Sequence, residues 1–380
     1  MQTAAQARTD QRLSVRVAES ILSRCEEGLH PNIANKWGYV AGMALTAFGW
    51  LGDHTGESRY HDFVKRHMDI FVHEDGSIQG YSVEEYNLDH INKGKNLLRL
   101  WRETGDAKYE KAARLLTDQL AGQPRTDEGG FWHKKIYPFQ MWLDGLYMSS
   151  PFMAEFARTF GEESWFDEAA HQLLLVERRT RNPQTGLLHH AWDESKEQRW
   201  CDGATGRSRH VWGRAMGWYA MALVDALEHF PVRHPKRGQL AGIFERMAQA
   251  VVRVQDQESG VWYQVMDCNG REGNYLEASG SCMLTYAMAK GIRLGYLSEV
   301  SRKSVERAYE GILSRFVTED EQGVHLHQIC QGAGLGGRKY RDGSYAYYLS
   351  EPVVSDVLMG VAPLLLASTE IERLREGAAK

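Results

Sequence analysis

One acidic residue, Asp144, stands in a segment whose composition suits acid catalysis. The segment spans residues 131–148, and it sets Asp144 among the aromatic side chains Trp132, Tyr137, Phe139, Trp142 and Tyr147. An aspartate among such side chains has little water around it, and desolvation favours its neutral, proton-donating form. The sequence therefore predicts that Asp144 is a catalytic acid with a raised pKa. The position also suits a helix N-cap, because Asp accepts hydrogen bonds from free backbone N–H groups.

Asp89 is the candidate partner of Asp144, since both residues stand near the start of successive apolar helical stretches. Two carboxylates that face a common cavity raise each other's pKa, so one can be an acid while its neighbour stays ionised. The alternative is that Asp89 caps its helix together with Asn87.

Arg214 lies within an apolar helical stretch, residues 211–227, with Trp212 and Trp218 at helical spacing around it. A buried arginine requires a partner. Arg214 therefore either holds an anionic or hydroxyl-rich ligand against the aromatic faces or forms an internal salt bridge with a structural carboxylate.

Two histidine pairs, His189 with His190 and His325 with His327, raise the question of a metal site, because alternate residues of a strand share one face. A third ligand at a supporting spacing and a nearby cysteine cluster are both lacking in the sequence. We therefore expect no metal. His190 is expected to bond sugar hydroxyls, and His325 and His327 to be structural.

Amphipathic and apolar helical stretches alternate along the chain and must position these residues. Residues 10–26 carry apolar side chains at helical intervals, whereas residues 37–51 are apolar all round. Further amphipathic helices are expected near 57–72, 107–121, 163–180, 236–257 and 299–316, and further apolar ones begin near Leu88, Asp144, Trp212, Ala278 and Ser355. Six outer and six inner helices indicate an all-α (α/α)6 barrel.

A glycine-centred turn recurs after the outer helices and supports a ring of helical hairpins. Its members are Asp75-Gly76, Gly129-Gly130, Thr185-Gly186, Ser259-Gly260 and Gln322-Gly323, each followed by an apolar pair that begins a short extended segment. We expect one catalytic domain over residues 1–380, with its site where these loops meet the inner helices. An open solenoid of the same hairpins is the alternative, and it would need a polar capping repeat.

Composition excludes several classes of protein. A net charge of -5 argues against a nucleic-acid or anionic-membrane partner. The five cysteines are scattered without a CxxC motif, and no apolar run resembles a signal peptide or a membrane span. We expect a cytoplasmic monomer or weak homo-oligomer, without a cofactor, and a flexible tail at residues 1–9.

The segment Gly332 to Gly337 formally satisfies the GxGxxG pattern. It lies near the end of a helical chain, and not after an early strand as dinucleotide binding requires. We expect a mobile loop, with Arg338 and Lys339 at the border of the cavity.

Several ordered motifs together resemble a known family. They are the 129–148 segment, His-Ala-Trp-Asp-Glu from His190, Arg-Ala-Met-Gly-Trp-Tyr from Arg214, Glu-Ala-Ser-Gly-Ser-Cys from Glu277, and the 342–351 segment. The chain is similar, from about Trp37 onwards, to the unsaturated rhamnogalacturonyl hydrolases, which form glycoside hydrolase family 105. Two features depart from that pattern, Lys135-Ile136 and the long loop from Gly332 to Arg341.

The resemblance implies an (α/α)6 barrel that acts on a Δ4,5-unsaturated galacturonyl residue at the non-reducing end of a pectin fragment. An aspartic acid protonates C4 of the vinyl ether, water adds at C5, and the hemiketal opens spontaneously. By motif position Asp144 corresponds to that acid and Asp89 to the second carboxylate. The implied substrate contacts are Tyr39, His133, Lys134, His190, Trp212, Arg214 and Trp218.

Three other functions compete with this one. The nearest is an unsaturated glucuronyl hydrolase of similar fold that acts on glycosaminoglycan-type fragments. A sugar 2-epimerase on a related barrel would use paired histidines, and a helical scaffold or sugar-binding protein would have no activity. Loss of the ultraviolet absorbance of the unsaturated uronate distinguishes the hydrolases from the other two.

Overall fold

The computed structural model describes residues 11–378, and the tail expected at residues 1–9 lies outside this range. Two sets of helices alternate along these residues. The amphipathic helices are α1 (Leu13–Leu22), α4 (Ser58–Asp69), α6 (Ala107–Gly122), α8 (Ser164–Thr180), α10 (Arg237–Arg253) and α12 (Arg302–Phe316). The second set, apolar except for the amphipathic α5, comprises α3 (Tyr39–Thr55), α5 (Gly94–Thr104), α7 (Leu143–Phe160), α9 (Gly213–His229), α11 (Ala278–Arg293) and α14 (Leu358–Ala378).

The helices of the second set form a closed inner ring. Each packs against the next in the order α3, α5, α7, α9, α11 and α14, and α14 packs back against α3. The amphipathic helices lie outside this ring and bury only one face. The predicted (α/α)6 barrel is therefore confirmed, and the open solenoid is excluded because the first and last inner helices are in contact.

Small residues allow the inner helices to approach one another closely. At Gly217 of α9, a Cβ atom would lie 2.7 Å from the Cβ of Met283 on α11. Side chains along the middle of α9 are almost entirely buried, from Gly213 to Leu227. Stretches that are apolar all round thus become helices surrounded on every side, as the sequence indicates.

The glycine-centred turns occur where the sequence places them. The central glycines Gly76, Gly129, Gly186, Gly260 and Gly323 all have positive φ, which a residue without a Cβ adopts at no steric cost. Backbone bridges close several of these turns, for example between Val72 and Ile78 and between Arg125 and Phe131. Each such turn reverses the chain after an outer helix and directs it toward the mouth of the barrel.

Short strands connect the loops at the mouth. Three antiparallel pairs are formed by β1 (Gln140–Trp142) with β2 (Ala191–Asp193), β3 (Val317–Asp320) with β4 (Gly323–Leu326), and β5 (Ile329–Cys330) with β6 (Val353–Val354). Two short helices, α2 (Pro31–Ala34) and α13 (Tyr345–Ser350), and three 3-10 turns complete the described elements.

One inner helix begins later than predicted. The sequence places its start near Leu88, but Leu88–His90 is a separate 3-10 turn and α5 begins at Gly94. Asn87 accepts a hydrogen bond from the backbone N–H of Asp89 and holds that turn. Asp89 therefore lies on a loop above the ring.

The Gly332–Gly337 segment is a loop and begins no helix, as expected. A backbone bridge between Gly336 and Arg341 closes its far end. Among residues 11–378, no helix combines the length and the apolar character that crossing a bilayer requires.

A buried histidine in α4 makes the fold sensitive to acid. The ring of His67 accepts a hydrogen bond from the backbone N–H of His30 and also bonds the carbonyl of Phe63, each at 2.8 Å. Burial lowers the pKa of His67 to about 4, although the bond to Phe63 raises it. A proton on the accepting nitrogen would break the bond to His30. The native state therefore resists a proton that the unfolded chain takes up.

We expect the free energy of unfolding to fall as the pH drops from about 6.5, the unfolded pKa of histidine, toward 4. The variant His67→Gln should be about 1–3 kcal/mol less stable at neutral pH, because a buried donor loses its acceptor, and should show a weaker pH dependence. Urea titrations across this pH range measure both quantities. His73→Gln, at an exposed position, is the control, and equal pH dependence in His67→Gln and the wild type would contradict the assignment.

Candidate active site

The catalytic candidate Asp144 lies in the first turn of inner helix α7. Strand β1 runs directly into this helix, with Trp142 as the N-cap residue and Asp144 as the second helical residue. The N-cap alternative is therefore wrong, because the cap position falls two residues earlier. The first turn still favours a negative charge, since backbone N–H groups point toward it.

His190 holds the carboxylate of Asp144. Strands β1 and β2 pair with Trp142 opposite Ala191, and the backbone N–H of Leu143 donates to the carbonyl of His190 at 3.0 Å. This pairing places Nε2 of His190 3.1 Å from Oδ2 of Asp144. Nδ1 of the same ring is 2.9 Å from the hydroxyl of Tyr348. The three side chains form one hydrogen-bonded chain that leads from the mouth into the protein.

The pKa of Asp144 is lowered, contrary to the sequence prediction. Burial acts in the predicted direction and raises it, but the charge and hydrogen bond of His190 outweigh that effect, and His133 and a backbone N–H add to the lowering. The free protein therefore holds Asp144 as a carboxylate at neutral pH. Sequence reasoning missed this because it counted the aromatic neighbours of Asp144 and not its hydrogen-bond partner.

The second carboxylate, Asp89, is paired with a cation. Its Oδ2 lies 2.5 Å from Nζ of Lys134, and its Oδ1 lies 3.7 Å from Nε2 of His133. Capping of the local turn falls to Asn87 alone, so the carboxylate of Asp89 is left to face the site. The predicted raising of the pKa of Asp144 by a second carboxylate is wrong, because the charge and hydrogen bond of His190 outweigh what raises it.

His133 stands between the two carboxylates. Burial lowers its pKa to about 4, with Asp89 and Asp144 acting in the opposite direction, so the ring is neutral near pH 7. The ring stacks on Trp142 at 4.7 Å, and Trp142 stacks on Tyr137 at 4.9 Å. Nδ1 of His133 is buried and has no hydrogen-bond partner among residues 11–378. It faces the start of α7, since a Cβ at Gly145 would lie 2.8 Å from it.

Tyr39 begins helix α3 and faces the same group of charges. Burial raises the pKa of its hydroxyl, Asp89 and Asp144 raise it further, and Arg214 lowers it. Its ring meets Trp218 edge-on at 6.0 Å. Tyr39 and Lys134 are both partly exposed, so the structure leaves them accessible from the mouth.

The two tryptophans of α9 are more deeply buried than a ligand-stacking role suggests. Trp212 is 2% exposed and lies against His190 with 4.9 Å between ring centroids, while Trp218 is 1% exposed and lies between Tyr39 and Tyr147. In this conformation both act as supports for residues that face the mouth. Their contact with substrate stays a prediction.

Arg214 forms the internal salt bridge that the sequence left open. Its guanidinium lies 3.7 Å from Glu277 and donates to Ser279 and to the carbonyl of Cys330. Arg214 is 1% exposed. Glu277 also accepts bonds from the backbone N–H groups at the start of α11, so it caps a helix and neutralises Arg214 at once.

The remaining histidines separate into two groups. Both ring nitrogens of His325 are taken, by Asp320 and Asp356, and those of His327 by Thr318 and Ser355. Their predicted structural role is therefore confirmed. The ring nitrogens of His190 are likewise both occupied by protein groups. In this structure His190 is therefore bonded to Asp144, and its expected bond to a sugar hydroxyl stays a prediction.

Tyr348 and Glu277 are the site residues that sequence reasoning missed. Tyr348 is 158 positions from His190 in the chain, so no spacing could link them. The available signal was motif membership, because each stands in one of the segments that carry the family resemblance.

Comparisons with known proteins agree on one group of enzymes. The model described as Glycosyl Hydrolase Family 88 matches residues 13–375. A solved structure of a glycoside hydrolase from family 105 of C. acetobutylicum ATCC 824 is 47% identical, with a TM-score of 0.92, and the alignment covers 96% of this chain and 100% of that one.

Two relatives extend this similarity. Protein Atu3128 of Agrobacterium fabrum is 41% identical over 237 residues, which is 59% of this chain and 97% of that protein. The Unsaturated rhamnogalacturonyl hydrolase YesR of Bacillus subtilis is 31% identical over 264 residues, which is 68% of this chain and 72% of that protein.

Gly145, which follows Asp144, leaves room for the ring of His133. A Cβ at Gly145 would lie 2.8 Å from Nδ1 of His133 and 3.0 Å from Cδ1 of Leu88. We expect Gly145→Ala to displace the His133 ring and lower turnover by roughly tenfold or more, because a 1 Å misplacement near reacting groups is costly. Gly238→Ala is the matched control, since Gly238 is also in a first helical turn but has open space around it.

Steady-state kinetics and thermal unfolding of both variants test this expectation. The control should gain up to about 1 kcal/mol of stability from helix propensity and keep full turnover. Full turnover in Gly145→Ala would show that the ring of His133 is not fixed by this contact.

Proposed function

Because this chain belongs to glycosyl hydrolase family 88 and to glycoside hydrolase family 105, and is thus a glycoside hydrolase, we propose that it hydrates the C4=C5 vinyl ether of a Δ4,5-unsaturated galacturonyl residue. The residue stands at the non-reducing end of rhamnogalacturonan oligosaccharides. The products are 5-keto-4-deoxyuronate and a shortened oligosaccharide that ends in rhamnose. The observation that carries the proposal is a largely buried carboxylate, that of Asp144, which is 15% exposed at the barrel mouth and lies 3.1 Å from His190.

Asp144 is the proton donor in this proposal. It delivers a proton to C4, and the resulting carboxylate accepts a proton from the water that adds at C5. The hemiketal formed there opens by breaking the bond between C5 and the ring oxygen, and the hemiacetal left at C1 then releases the neighbouring sugar as an alcohol. This sequence needs no electron carrier, so we propose that the enzyme works without a cofactor or a metal.

The substrate itself supplies the condition for protonation of Asp144. In the free protein the carboxyl is ionised, because His190 lowers its pKa. A uronate carboxylate arriving in the same poorly solvated site adds a like charge, which raises the pKa of nearby acids. Asp144 then takes up a proton, so it becomes the acid only when substrate is present.

The cation and the neutral ring beside Asp89 bind the substrate carboxylate in this proposal. Lys134 is partly exposed and is 2.5 Å from Asp89, so it can be shared between Asp89 and the incoming uronate. Nε2 of His133, which faces Asp89, and the hydroxyl of Tyr39 then meet sugar oxygens. We assign Trp212, Arg214 and Trp218 to the wall of the site, where they hold these groups in place. Their accessible atoms contact the sugar.

The proposed organisation is one catalytic domain, working as a cytoplasmic monomer or weak homo-oligomer. The ring from α3 to α14 supports the first part, because the site is assembled from loops that follow several of its hairpins. An unsaturated glucuronyl hydrolase acting on glycosaminoglycan-type fragments is the alternative. The name of the B. subtilis relative favours the rhamnogalacturonan substrate.

Replacement of the proposed acid tests the reaction. Asp144→Asn should abolish loss of the ultraviolet absorbance of lyase-generated unsaturated rhamnogalacturonan oligosaccharides, while the variant still folds, because an amide cannot donate the proton to carbon. Asp62→Asn, an exposed aspartate on α4, is the matched control and should keep wild-type turnover. Wild-type turnover in Asp144→Asn would refute the assignment, and turnover only of hyaluronan fragments by the wild type would favour the alternative.

Replacement of His190 separates its electrostatic effect from its orienting effect. In His190→Gln the charge that lowers the pKa of Asp144 is gone, so this pKa should rise in the free protein. Turnover should nevertheless fall by roughly 10²-fold, because the carboxyl loses the bond that orients it. Carboxyl chemical shifts of labelled aspartate, followed across pH, measure the pKa, and an unchanged value would contradict the role of His190.

A further inference from the structure

An open depression of about 580 Å³ lies beside the aromatic stack at the mouth. The loop after strand β5 forms most of it. Its lining residues are Tyr137, Gly337, Arg338, Lys339, Tyr340, Arg341, Tyr347 and Glu351. Tyr137 connects it to the site, because its ring stacks on Trp142, and Trp142 stacks on His133.

The charge of this depression is positive. It contains three cations, Arg338, Lys339 and Arg341, and one acid, Glu351. Arg338 and Lys339 are exposed, and neither side chain has a hydrogen-bond or ion-pair partner among residues 11–378. A local excess of cations is notable on a chain whose acidic residues outnumber its basic ones by 50 to 45.

The floor of the depression is built by buried contacts. Arg341 donates to the carbonyls of Leu335 and Gly336 and to the hydroxyl of Tyr137, at 3.0 to 3.2 Å. Leu335 is fully buried, in one cluster with Trp142 and Trp200. Arg341 therefore both carries charge and fixes the loop against the aromatic stack.

The opposite side of the loop is held in the same way. The hydroxyl of Tyr340 accepts a hydrogen bond from the backbone N–H of Trp200, and the guanidinium of Arg199 lies 4.0 Å from the centre of the Tyr340 ring. The position of the two unpaired cations thus follows from contacts that exist without a ligand.

We propose that this depression binds the carboxylate of a second uronate in the same oligosaccharide. The inference rests on the proposed function. Rhamnogalacturonan alternates galacturonate with rhamnose, so the next acid is two sugars beyond the cleaved bond. Two stacked rings, Tyr137 and Trp142, separate the depression from His133, so a group bound there lies further along the oligosaccharide than the reacting sugar. Arg338 and Lys339 are the specificity-determining residues of this second site.

Removal of the two unpaired cations tests the proposal. The double variant Arg338→Ala/Lys339→Ala is compared with the wild type on an unsaturated disaccharide, which lacks a second uronate, and on the unsaturated tetrasaccharide, which has one. KM for the tetrasaccharide should rise roughly 3- to 30-fold with kcat unchanged, because the contact binds ground state and transition state equally. KM for the disaccharide should not change.

A matched control removes two charges elsewhere. Lys111→Ala/Lys303→Ala, at exposed positions on α6 and α12, should leave both KM values unchanged. A tetrasaccharide with its internal carboxyl group methyl-esterified should be bound by the wild type as weakly as the double variant binds the free acid. Retained tight binding of the ester would overturn the assignment of a carboxylate.

Two further outcomes would overturn the second site. One is an equal rise of KM for both substrates, which would show that the two cations attract any anionic substrate to the mouth. The other is an unchanged KM for the tetrasaccharide. Both are distinct from failure of the proposed function, in which the wild-type protein consumes neither substrate.

Discussion

The contact between Asp144 and His190 depends on only three residue pairs between strands β1 and β2. The register of that pairing sets the 3.1 Å separation of the two side chains. A buried carboxylate without a partner would be costly, so the mouth of the barrel tolerates Asp144 only because His190 is there. Tyr348 orients His190 from below. The remaining aromatic residues of the mouth are arranged around this hydrogen-bonded chain.

Charges at the site are balanced in pairs before substrate arrives. Asp144 is bonded to His190, Asp89 to Lys134, and Arg214 to Glu277. An acidic substrate cannot enter such a site without disturbing a pair. Lys134 is the cation that can be shared, because Arg214 is buried and Lys134 is not. In the mechanism proposed above, the bound anion also raises the pKa of Asp144, which couples recognition to chemistry.

Sequence reasoning predicted the barrel correctly because the periodicity of apolar residues indicates which face of each helix is buried. The apolar stretches became five of the six inner helices, the exception being the amphipathic α5, and the glycine turns occurred at Gly76, Gly129 and their equivalents. It identified Asp144 and Asp89 by family motif and placed both at the mouth. It failed on quantities set by distant contacts: the pKa direction of Asp144 depends on His190, and the pairing of Arg214 depends on Glu277. Neither partner stands at a spacing that indicates the contact.

The residues around Asp144 and the last long loop belong to separate parts of the structure. Residues near Asp144 come from β1, β2, α3 and the turn at Asp89, which are tied to one another and to the ring. The segment from Gly332 to Arg341 contacts this group mainly through Tyr137 and Trp142. Its two unpaired cations form no hydrogen bond or ion pair with the residues around Asp144. In the proposal of a second uronate site, the loop selects the acidic oligosaccharide while Asp144 and its partners carry the reaction.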